Sequence, residues 1–259
     1  MKIVVMLKAV PDTETRFQIR DDGKDVVYDD SIEWIASPYD EYALEAAIQT
    51  KEKLGGTVTL LTLGKGVESQ VIRKALAMGA DDAVLVNNEA LADSDPLGIA
   101  KVLAKELEAL QPDLVFAGRL ATDTADSFVG PAVGELLNMP VVAEISGLEV
   151  EEGKVVVTRD ATARKEKFEL TLPAIVTTDK GLNEPRYPKL PDIMKAKKKK
   201  VDEKDGAEYL EFAGTSNRKV TQVKVEFPPA KKGGVIFKGD LDEAIEQLVD
   251  ALHNKEKVI

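Results

Sequence analysis

The sequence contains no cysteine, and this absence excludes several kinds of chemistry at once. Disulfides, thiol redox chemistry, cysteine-ligated iron–sulfur clusters and covalently attached c-type haem all require cysteine side chains. Histidine is nearly absent as well, because the only one, His253, lies close to the end of the 259-residue chain. Neither a histidine-based metal site nor a Ser-His-Asp triad can therefore be assembled. If this protein handles electrons, an organic cofactor has to carry them.

Long apolar runs are also missing. No segment approaches the ~20 apolar residues that a helix needs to cross a bilayer. The N-terminal sequence MKIVVMLKAVPD has a short apolar run and no small-residue cleavage site, which indicates a strand rather than a signal peptide. We therefore expect a cytoplasmic protein without direct membrane insertion. The 44% of hydrophobic residues is enough for a buried core.

Continuous apolar segments alternate with helix-like segments over the first 140 residues. Strands are predicted at 2–7, 57–63, 82–86 and 113–118. In the first helix, Ser37 and Asp40 are placed as a capping pair, and Asp95 is placed to cap a later helix. Uninterrupted apolar strands are typical of a parallel sheet covered on both faces. The pattern predicts an α/β fold with a doubly wound, mainly parallel, Rossmann-like sheet.

The pattern changes after Pro140, where strand segments in hairpins predict an antiparallel extension of the sheet. From about 182 to 239 the chain is rich in Lys, Pro and Gly, and we expect little packed structure there. A last helix is predicted after Asp240, capped by that residue. Its apolar face would dock either on a partner or on the chain's own core. That face comprises Leu241, Ala244, Ile245, Leu248 and Leu252.

Ligands of doubly wound sheets bind at the carboxyl ends of the strands. Here those ends carry the sequences MLKAVPDT, ASPYDE, LGKG and GRLATDTADSFVGP. In the last of these, Gly118 would let a ligand approach the backbone, and the following helix start would offer N–H groups to a phosphate. Asp123 and Asp126 suit helix caps or sugar hydroxyls. The alternative is a well-capped loop without a ligand.

Two nucleotide-binding motifs are absent. The chain has neither G-x-x-x-x-G-K-[ST] nor a G-x-G-x-x-G after the first strand, so a nucleotide site would be built from several loops. No cluster of acid, base and nucleophile is visible, and no metal site or catalytic residue is predicted.

The stretch LNEPRYPKLPDIMKAKKKK, residues 182–200, has an unusual charge. Seven cationic residues face two carboxylates, a net charge of +5, whereas the whole chain carries −11. A solvated helix end or a nucleic-acid patch would be possible explanations. The acidic chain argues against nucleic acid as a partner.

Three segments carry a resemblance to a known family. With ALAMGAD (75–81), VTRD followed by LTLPAIVTTD, and above all residues 182–200, the chain resembles the β subunit of electron transfer flavoproteins nearly from end to end. The resemblance implies the small subunit of an αβ heterodimer, which is an electron carrier rather than an enzyme. Its FAD would be shared with the α subunit and held mostly by it. Electrons would pass from acyl-CoA or other flavin dehydrogenases to a quinone oxidoreductase.

The resemblance also implies an AMP without a redox role, bound in this subunit. Ser37 and the pair Ser127-Phe128 depart from the residues of many relatives. They leave open a second FAD in place of AMP, as in electron-bifurcating members, although AMP is favoured. The matching nucleotide contacts are Met6, Ser37, Pro38, Tyr39, Asp40, Leu63, Gly64, Gly118, Asp123, Thr124, Ala125, Asp126, Ser127, Phe128 and Val129.

Residues 182–200 match the family's recognition loop for the dehydrogenase. Leu190 would be its apolar anchor, and the prolines around it would reduce the ordering cost of binding. The lysines would steer acidic partners. The partner-binding residues are Tyr187, Leu190, Pro191, Ile193, Met194 and Lys195.

The resemblance divides the chain into three parts. These are a nucleotide-binding α/β domain (1–181), a partner recognition loop (182–200) and a C-terminal arm whose helix docks on the α subunit (201–259). A third alternative, from another class, is a non-redox nucleotide-binding regulatory module that self-associates and holds no flavin. The Lys-rich loop and the arm do not fit this alternative.

Overall fold

The computed structural model describes residues 1–64, 66–92, 94–214, 218–230 and 233–259. The strands are β1 Lys2–Met6, β2 Ala9–Pro11, β3 Trp34–Ala36, β4 Thr57–Gly64, β5 Asp82–Asn87, β6 Leu114–Gly118, β7 Val141–Glu151, β8 Lys154–Ala161, β9 Arg164–Thr171, β10 Ala174–Thr178 and β11 Val201–Asp205. The helices are α1 Pro38–Leu54, α2 Ser69–Met78, α3 Glu89–Ala92, α4 Pro96–Leu110, α5 Val129–Leu137, α6 Leu190–Ala196, α7 Leu210–Ala213 and α8 Leu241–Asp250.

The main sheet has the strand order β11-β5-β4-β1-β6-β10-β7-β8-β9. All pairs from β11 to β7 are parallel, and β7, β8 and β9 are antiparallel. A small antiparallel sheet, β2 with β3, lies between β1 and α1 in the chain. The predicted α/β class and the antiparallel extension are confirmed.

A topological switch point lies between β1 and β6. From β1 the chain proceeds to β4 and β5 on one side, then returns to place β6 on the other side. Alternate residues of the central strands enter two separate cores: Val5 and Phe116 lie in one, Val4 and Val115 in the other. This explains the uninterrupted apolar strands, since both faces of the sheet are covered.

Of the two helix caps predicted in the first 140 residues, Asp95 is confirmed and Ser37 is wrong. The Asp95 carboxylate accepts a hydrogen bond from the Gly98 N–H at 2.8 Å, as a capping residue does. Ser37 precedes α1 but makes no side-chain cap, and its hydroxyl donates to the Leu120 carbonyl instead. Asp40 does not complete a capping box either, because its carboxylate faces the ends of two strands.

The expectation of little packed structure from 182 to 239 is wrong for residues 190–213. They form α6, β11 and α7, and β11 extends the main sheet by pairing with β5. The sequence VDEKD of β11 shows no apolar run because polar contacts hold this edge. Lys204 pairs with the buried Glu106 at 2.7 Å, and the Tyr209 hydroxyl donates to the same carboxylate.

Helix α8 forms as predicted but buries none of its residues. Asp240 accepts hydrogen bonds from the N–H groups of Asp242 and Glu243 at 3.0 Å, so the predicted cap is confirmed. On the apolar face, Leu241 is 75% exposed and Ile245 is 48% exposed. The described part of the chain's own core therefore leaves this face uncovered.

None of the helices in the described ranges is both long and apolar enough to cross a membrane.

Candidate functional site

Four predicted segments meet at one edge of the sheet. Three of them lie at the ends of β1, β4 and β6, and the fourth lies at the start of α1. Within the sheet, Met6 of β1 lies between Leu61 of β4 and Ala117 of β6. The carboxyl ends of parallel strands share one edge, so Leu63 and Gly64 end on the same side as Gly118.

Asp40 joins three of these segments. Its carboxylate accepts the Lys8 N–H through Oδ2 and the Gly118 N–H through Oδ1, each at 2.8 Å. The residue is only 6% exposed. We call Lys8, Asp40, Gly118 and Asp123 the switch-point cluster. Because α1 carries Asp40 in its first turn, the cluster fixes this helix to the ends of β1 and β6.

Burial dominates the acidity of Asp40. It raises the pKa of this carboxyl to about 7, although the two backbone hydrogen bonds and the positive charge of Lys8 lower it. Asp123 adds a smaller raising effect. The switch-point cluster therefore contains a carboxyl that exchanges its proton near neutral pH.

Gly118 is required by the protein itself. A Cβ at this position would lie 2.4 Å from Oδ1 of Asp40 and 2.7 Å from Cβ of Tyr39. Gly64 is similar, because a Cβ there would lie 2.4 Å from Oε2 of Glu68. Gly118 was expected to admit a ligand, but the atoms that approach it in the structure belong to α1.

Lys8 and Asp123 connect the loops that follow β1 and β6. Their side chains form an ion pair of 2.8 Å and are 38% and 27% exposed. Such a partly exposed pair adds little stability. In the structure Asp123 thus pairs with a cation, which sequence reasoning did not anticipate, since it offered a helix cap or sugar contact.

The loop before α5 has an unusual backbone. Ala125 and Ser127 both have φ of +51°, in the left-handed region that non-glycine residues rarely occupy. Residues 123–128 are exposed, and Phe128 makes no side-chain cap for α5. The first N–H groups of a helix lack intrahelical partners, so this helix start can bind an anion. Backbone strain of this kind concentrates at functional sites.

Arg119 is a residue that sequence reasoning missed. Its guanidinium lies 5.1 Å from the centre of the Tyr39 ring and pairs with Asp179 at 3.2 Å. Its buried Nε has no hydrogen-bond partner among the described residues. The available signal was an arginine directly after the glycine that ends β6.

An aromatic pair was also missed by sequence reasoning. Tyr28 stacks on Trp34, the only tryptophan of the chain, with ring centres 5.7 Å apart. Burial raises the pKa of Tyr28, and the charges of Asp25 and Asp123 raise it further.

These residues fit a phosphate group better than a metal ion. The strained loop, the start of α5, and the hydroxyls of Thr124 and Ser127 suit a phosphate, and the orphaned Arg119 Nε is a spare donor. No group of three His, Cys, Asp or Glu that could hold a metal occurs in the described ranges.

A second surface lies at the recognition segment, residues 182–200. Its exposed side chains include Tyr187 at 88%, Leu190 at 75% and Met194 at 59%. Leu190 and Met194 are four residues apart on α6 and share one face. Ile193 is 40% exposed, and Lys195 pairs with Asp192 at 3.3 Å.

The cations of the recognition segment do not form one free cluster. Lys199 donates from Nζ to the carbonyls of Leu76 and Ala80 at the end of α2, and burial lowers its pKa. Arg186 is bound to carboxylates of α1. Lys199, one of the lysines expected to steer acidic partners, is therefore held by the body of the protein, and so is Arg186. Lys197, Lys198 and Lys200 are exposed.

Comparison with known proteins gives a consistent result. A family model described as "Electron transfer flavoprotein domain" matches residues 25–208. The chain is 40% identical, over the whole of both chains, to the electron transfer flavoprotein subunit beta of Bacillus subtilis (strain 168). It is 36% identical, again over the whole of both, to a mitochondrial subunit beta of Oryza sativa subsp. japonica. It is 35% identical to the caffeyl-CoA reductase-Etf complex subunit CarD of Acetobacterium woodii, over 98% of this chain and 99% of that one.

Proposed function

Because the chain belongs to the electron transfer flavoprotein family as a beta subunit, we propose that it is the small subunit of a heterodimeric electron carrier. The carrier takes electrons from acyl-CoA-type dehydrogenases and passes them to a quinone oxidoreductase. FAD, held mostly by the α subunit, supplies the redox chemistry. This chain has no catalytic residues of its own and contributes surfaces and a structural AMP.

The observation that carries this proposal is the presence of two separate exposed apolar surfaces. The recognition segment exposes Tyr187 and Leu190, and α8 exposes Leu241 and Ile245. Contiguous exposed apolar side chains mark protein-binding sites. The surface of the recognition segment suits the dehydrogenase, and that of α8 suits the α subunit. This agrees with a carrier that is permanently bound to its α subunit and docks transiently on the dehydrogenase.

AMP would occupy the edge of the sheet at the switch-point cluster. The start of α5, Thr124 and Ser127 would hold its phosphate, and the strand ends near Met6 and Leu63 would border the nucleotide. The strained backbone at Ala125 and Ser127 supports this assignment, since such strain persists where a ligand requires it.

A second FAD in place of AMP is the other candidate. The similarity to CarD, a protein named as part of a reductase complex, keeps it open. The regulatory-module alternative gains no support, because the family match is to electron transfer flavoproteins.

The deciding experiment is co-expression with the α subunit, followed by denaturation and counting of the released cofactors. We expect one FAD and one AMP per heterodimer, and a nearly colourless protein when this chain is purified alone. Two FADs without AMP would establish the second candidate. Stoichiometric FAD on the isolated chain, or self-association without flavin, would contradict the proposed function.

The cytoplasmic location stays a prediction, since relatives from Oryza sativa are named mitochondrial. Fractionation of cells that express the chain with a tag would test it, and recovery with the membranes would contradict it.

A further inference from the structure

The recognition segment is attached to the body of the protein at two points, and the first depends on Arg186. Its guanidinium donates to Glu45 from Nε and Nη2, each at 2.9 Å, and to Glu52 from Nη1 at 2.5 Å and Nη2 at 3.0 Å. Its backbone N–H also donates to Glu45 at 3.2 Å. One arginine thus binds two carboxylates that lie about two turns apart on α1.

The charges at this first point are placed so that the contact is rigid. The Glu45 side chain is only 3% exposed, whereas that of Arg186 is 34% exposed. Gln49 donates to Glu45 at 2.8 Å and fixes the carboxylate from its own helix. Bidentate arginine–carboxylate pairs define orientation as well as distance.

The second point, at the other end of α6, has several independent contacts. Arg73 of α2 donates to the carbonyls of Ala196 and Lys199, each at 2.9 Å. Lys199 in turn donates to Leu76 and Ala80. Ala196 is 1% exposed and packs in the core. Losing one contact here leaves the others in place.

The apolar side chains next to Arg186 contribute little to orienting the segment. Tyr187 and Leu190 are 88% and 75% exposed, so they pack little against the body. The orientation of this face therefore depends on the attachments at its ends. At the end next to Tyr187, Arg186 supplies the charged contacts, and Asn183 adds one hydrogen bond to the Tyr42 carbonyl at 2.9 Å.

We propose that Arg186 is a positioning residue, which holds the Tyr187–Leu190–Met194 face of the recognition segment in its partner-binding orientation by binding Glu45 and Glu52 of α1. The inference rests on the proposed function, in which this face docks a dehydrogenase. A face that is already oriented loses less conformational freedom on docking, and the saving appears as affinity. Arg186 itself does not touch the partner in this proposal.

The test uses the heterodimer and an acyl-CoA dehydrogenase reduced by its acyl-CoA. Arg186→Ala should raise the KM for the carrier on the order of tenfold and leave kcat within about twofold, because docking weakens but the flavin is unchanged. Arg186→Lys, which keeps the charge but not the planar fork, should give an intermediate KM. Glu52→Gln should raise KM by about twofold to threefold.

The matched control is Arg159→Ala, which removes a similar Arg–Glu pair from the β8–β9 hairpin, where Arg159 binds Glu166. It should leave KM unchanged. Chemical reduction of the flavin by dithionite should be the same in all variants. Endoproteinase Lys-C cuts only after lysine, so Arg186→Ala keeps its sites, and cleavage after Lys189 should speed up on the order of tenfold.

The outcomes separate this inference from the proposed function. If Leu190→Ala raises KM but the Arg186 variants do not, the positioning role is wrong and the docking face stands. If Leu190→Ala has no effect on KM either, the recognition segment is not the docking site and both fall. A fall in kcat or in FAD content without a change in KM would also overturn the positioning role. If Arg186→Ala does not fold, Arg186→Lys and Glu52→Gln decide by the same KM criterion.

Discussion

The first half of helix α1 carries two buried carboxylates whose acidities move in opposite directions. Asp40, in the first turn, is 6% exposed, and Glu45, about one turn later, is 2% exposed. Burial raises the pKa of both. For Asp40 the net pKa is about 7, whereas for Glu45 the hydrogen bonds from Arg186 and Gln49 outweigh burial and hold the pKa below its ordinary value.

The difference comes from the depth of burial together with the partners of each carboxylate. The Asp40 carboxylate accepts hydrogen bonds from two neutral backbone N–H groups, while the Glu45 carboxylate accepts hydrogen bonds from the Arg186 guanidinium. A cation compensates a buried charge far better than neutral donors do. Asp40, beside the strand ends, is therefore a group that titrates near neutrality, and Glu45, beside residues 182–200, is held in an ion pair.

The largest effect that would test this comparison is the pH dependence at Asp40. Its native pKa lies above its unfolded value, so between pH 4 and 7 the native chain holds a proton that the unfolded chain has lost. The contribution of Asp40 to stability is therefore present at low pH and is lost as pH rises towards 7, by about 1 kcal/mol per pH unit. The side chain of the Asp40→Asn variant cannot titrate. As pH rises from 4 to 7, the free energy of unfolding of this variant should therefore improve relative to the wild type by that amount per pH unit.

Urea unfolding of both proteins from pH 4.5 to 8 measures this difference, since titration of other groups cancels between them. The amide also leaves one strand-end N–H without its acceptor, which lowers the mutant's stability by about 1–3 kcal/mol at every pH. A stability difference that does not change with pH would mean that Asp40 is ionised throughout.

The second prediction concerns the ion pair between Glu45 and Arg186. Arg186→Ala leaves Glu45 buried without a cation and should lower the free energy of unfolding by about 2–4 kcal/mol at pH 7. The native pKa of Glu45 is lowered, so the stabilisation is complete above its ordinary value of 4.5 and is lost as pH falls below it. The cost of Arg186→Ala should therefore shrink in acid.

Thermal unfolding at pH 7 and pH 3.5 provides the measurement. Arg159→Ala, which breaks a more exposed pair with Glu166, should cost only about 0–1 kcal/mol. Equal costs for the two arginines at pH 7 would show that the burial of Glu45 has no special consequence.

Sequence patterns predicted the sheet because apolar runs and helix signals are local. The central strands, the Asp95 and Asp240 caps and the antiparallel extension all follow from such signals. Strand β11 was not predicted because its contacts are polar and join residues far apart in the sequence. Lys204 binds Glu106, which lies 98 residues away in the chain. No local pattern records such a partner.

The candidate site was predicted in its location but not in its internal contacts. The strand ends could be chosen from topology alone, since ligands bind there in doubly wound sheets. That Asp40 turns away from its own helix to bind Lys8 and Gly118 depends on how three segments meet. The use of Arg186 and Lys199 inside the structure, rather than as steering charges, was hidden for the same reason.

The third prediction concerns the exposed apolar face of the recognition segment. Leu190→Ala should raise the KM of the dehydrogenase for the carrier by about tenfold, because burying a leucine contributes ~1.5–3 kcal/mol and 1.4 kcal/mol is a factor of ten. Leu190 is 75% exposed, so the melting temperature should not change. Leu54→Ala, a partly exposed leucine at the end of α1, is the control and should leave KM unchanged. A lower melting temperature with unchanged kinetics would make Leu190 a core residue.

The smallest expected effect separates steering lysines from a structural one. Changing Lys197, Lys198 and Lys200 to Gln should slow association with the dehydrogenase a few-fold and flatten its dependence on salt, because exposed charges act over ~8 Å at physiological ionic strength. Lys199→Gln should instead lower the melting temperature, since its Nζ donates to two carbonyls at the end of α2. Stopped-flow reduction of the flavin across a salt series, with a melting curve for each variant, distinguishes the two roles. If Lys199→Gln changes the salt dependence as much as the other three substitutions together, the contacts of Lys199 with α2 do not hold it away from the partner. The recognition segment would then be less rigidly attached than its ion pairs indicate.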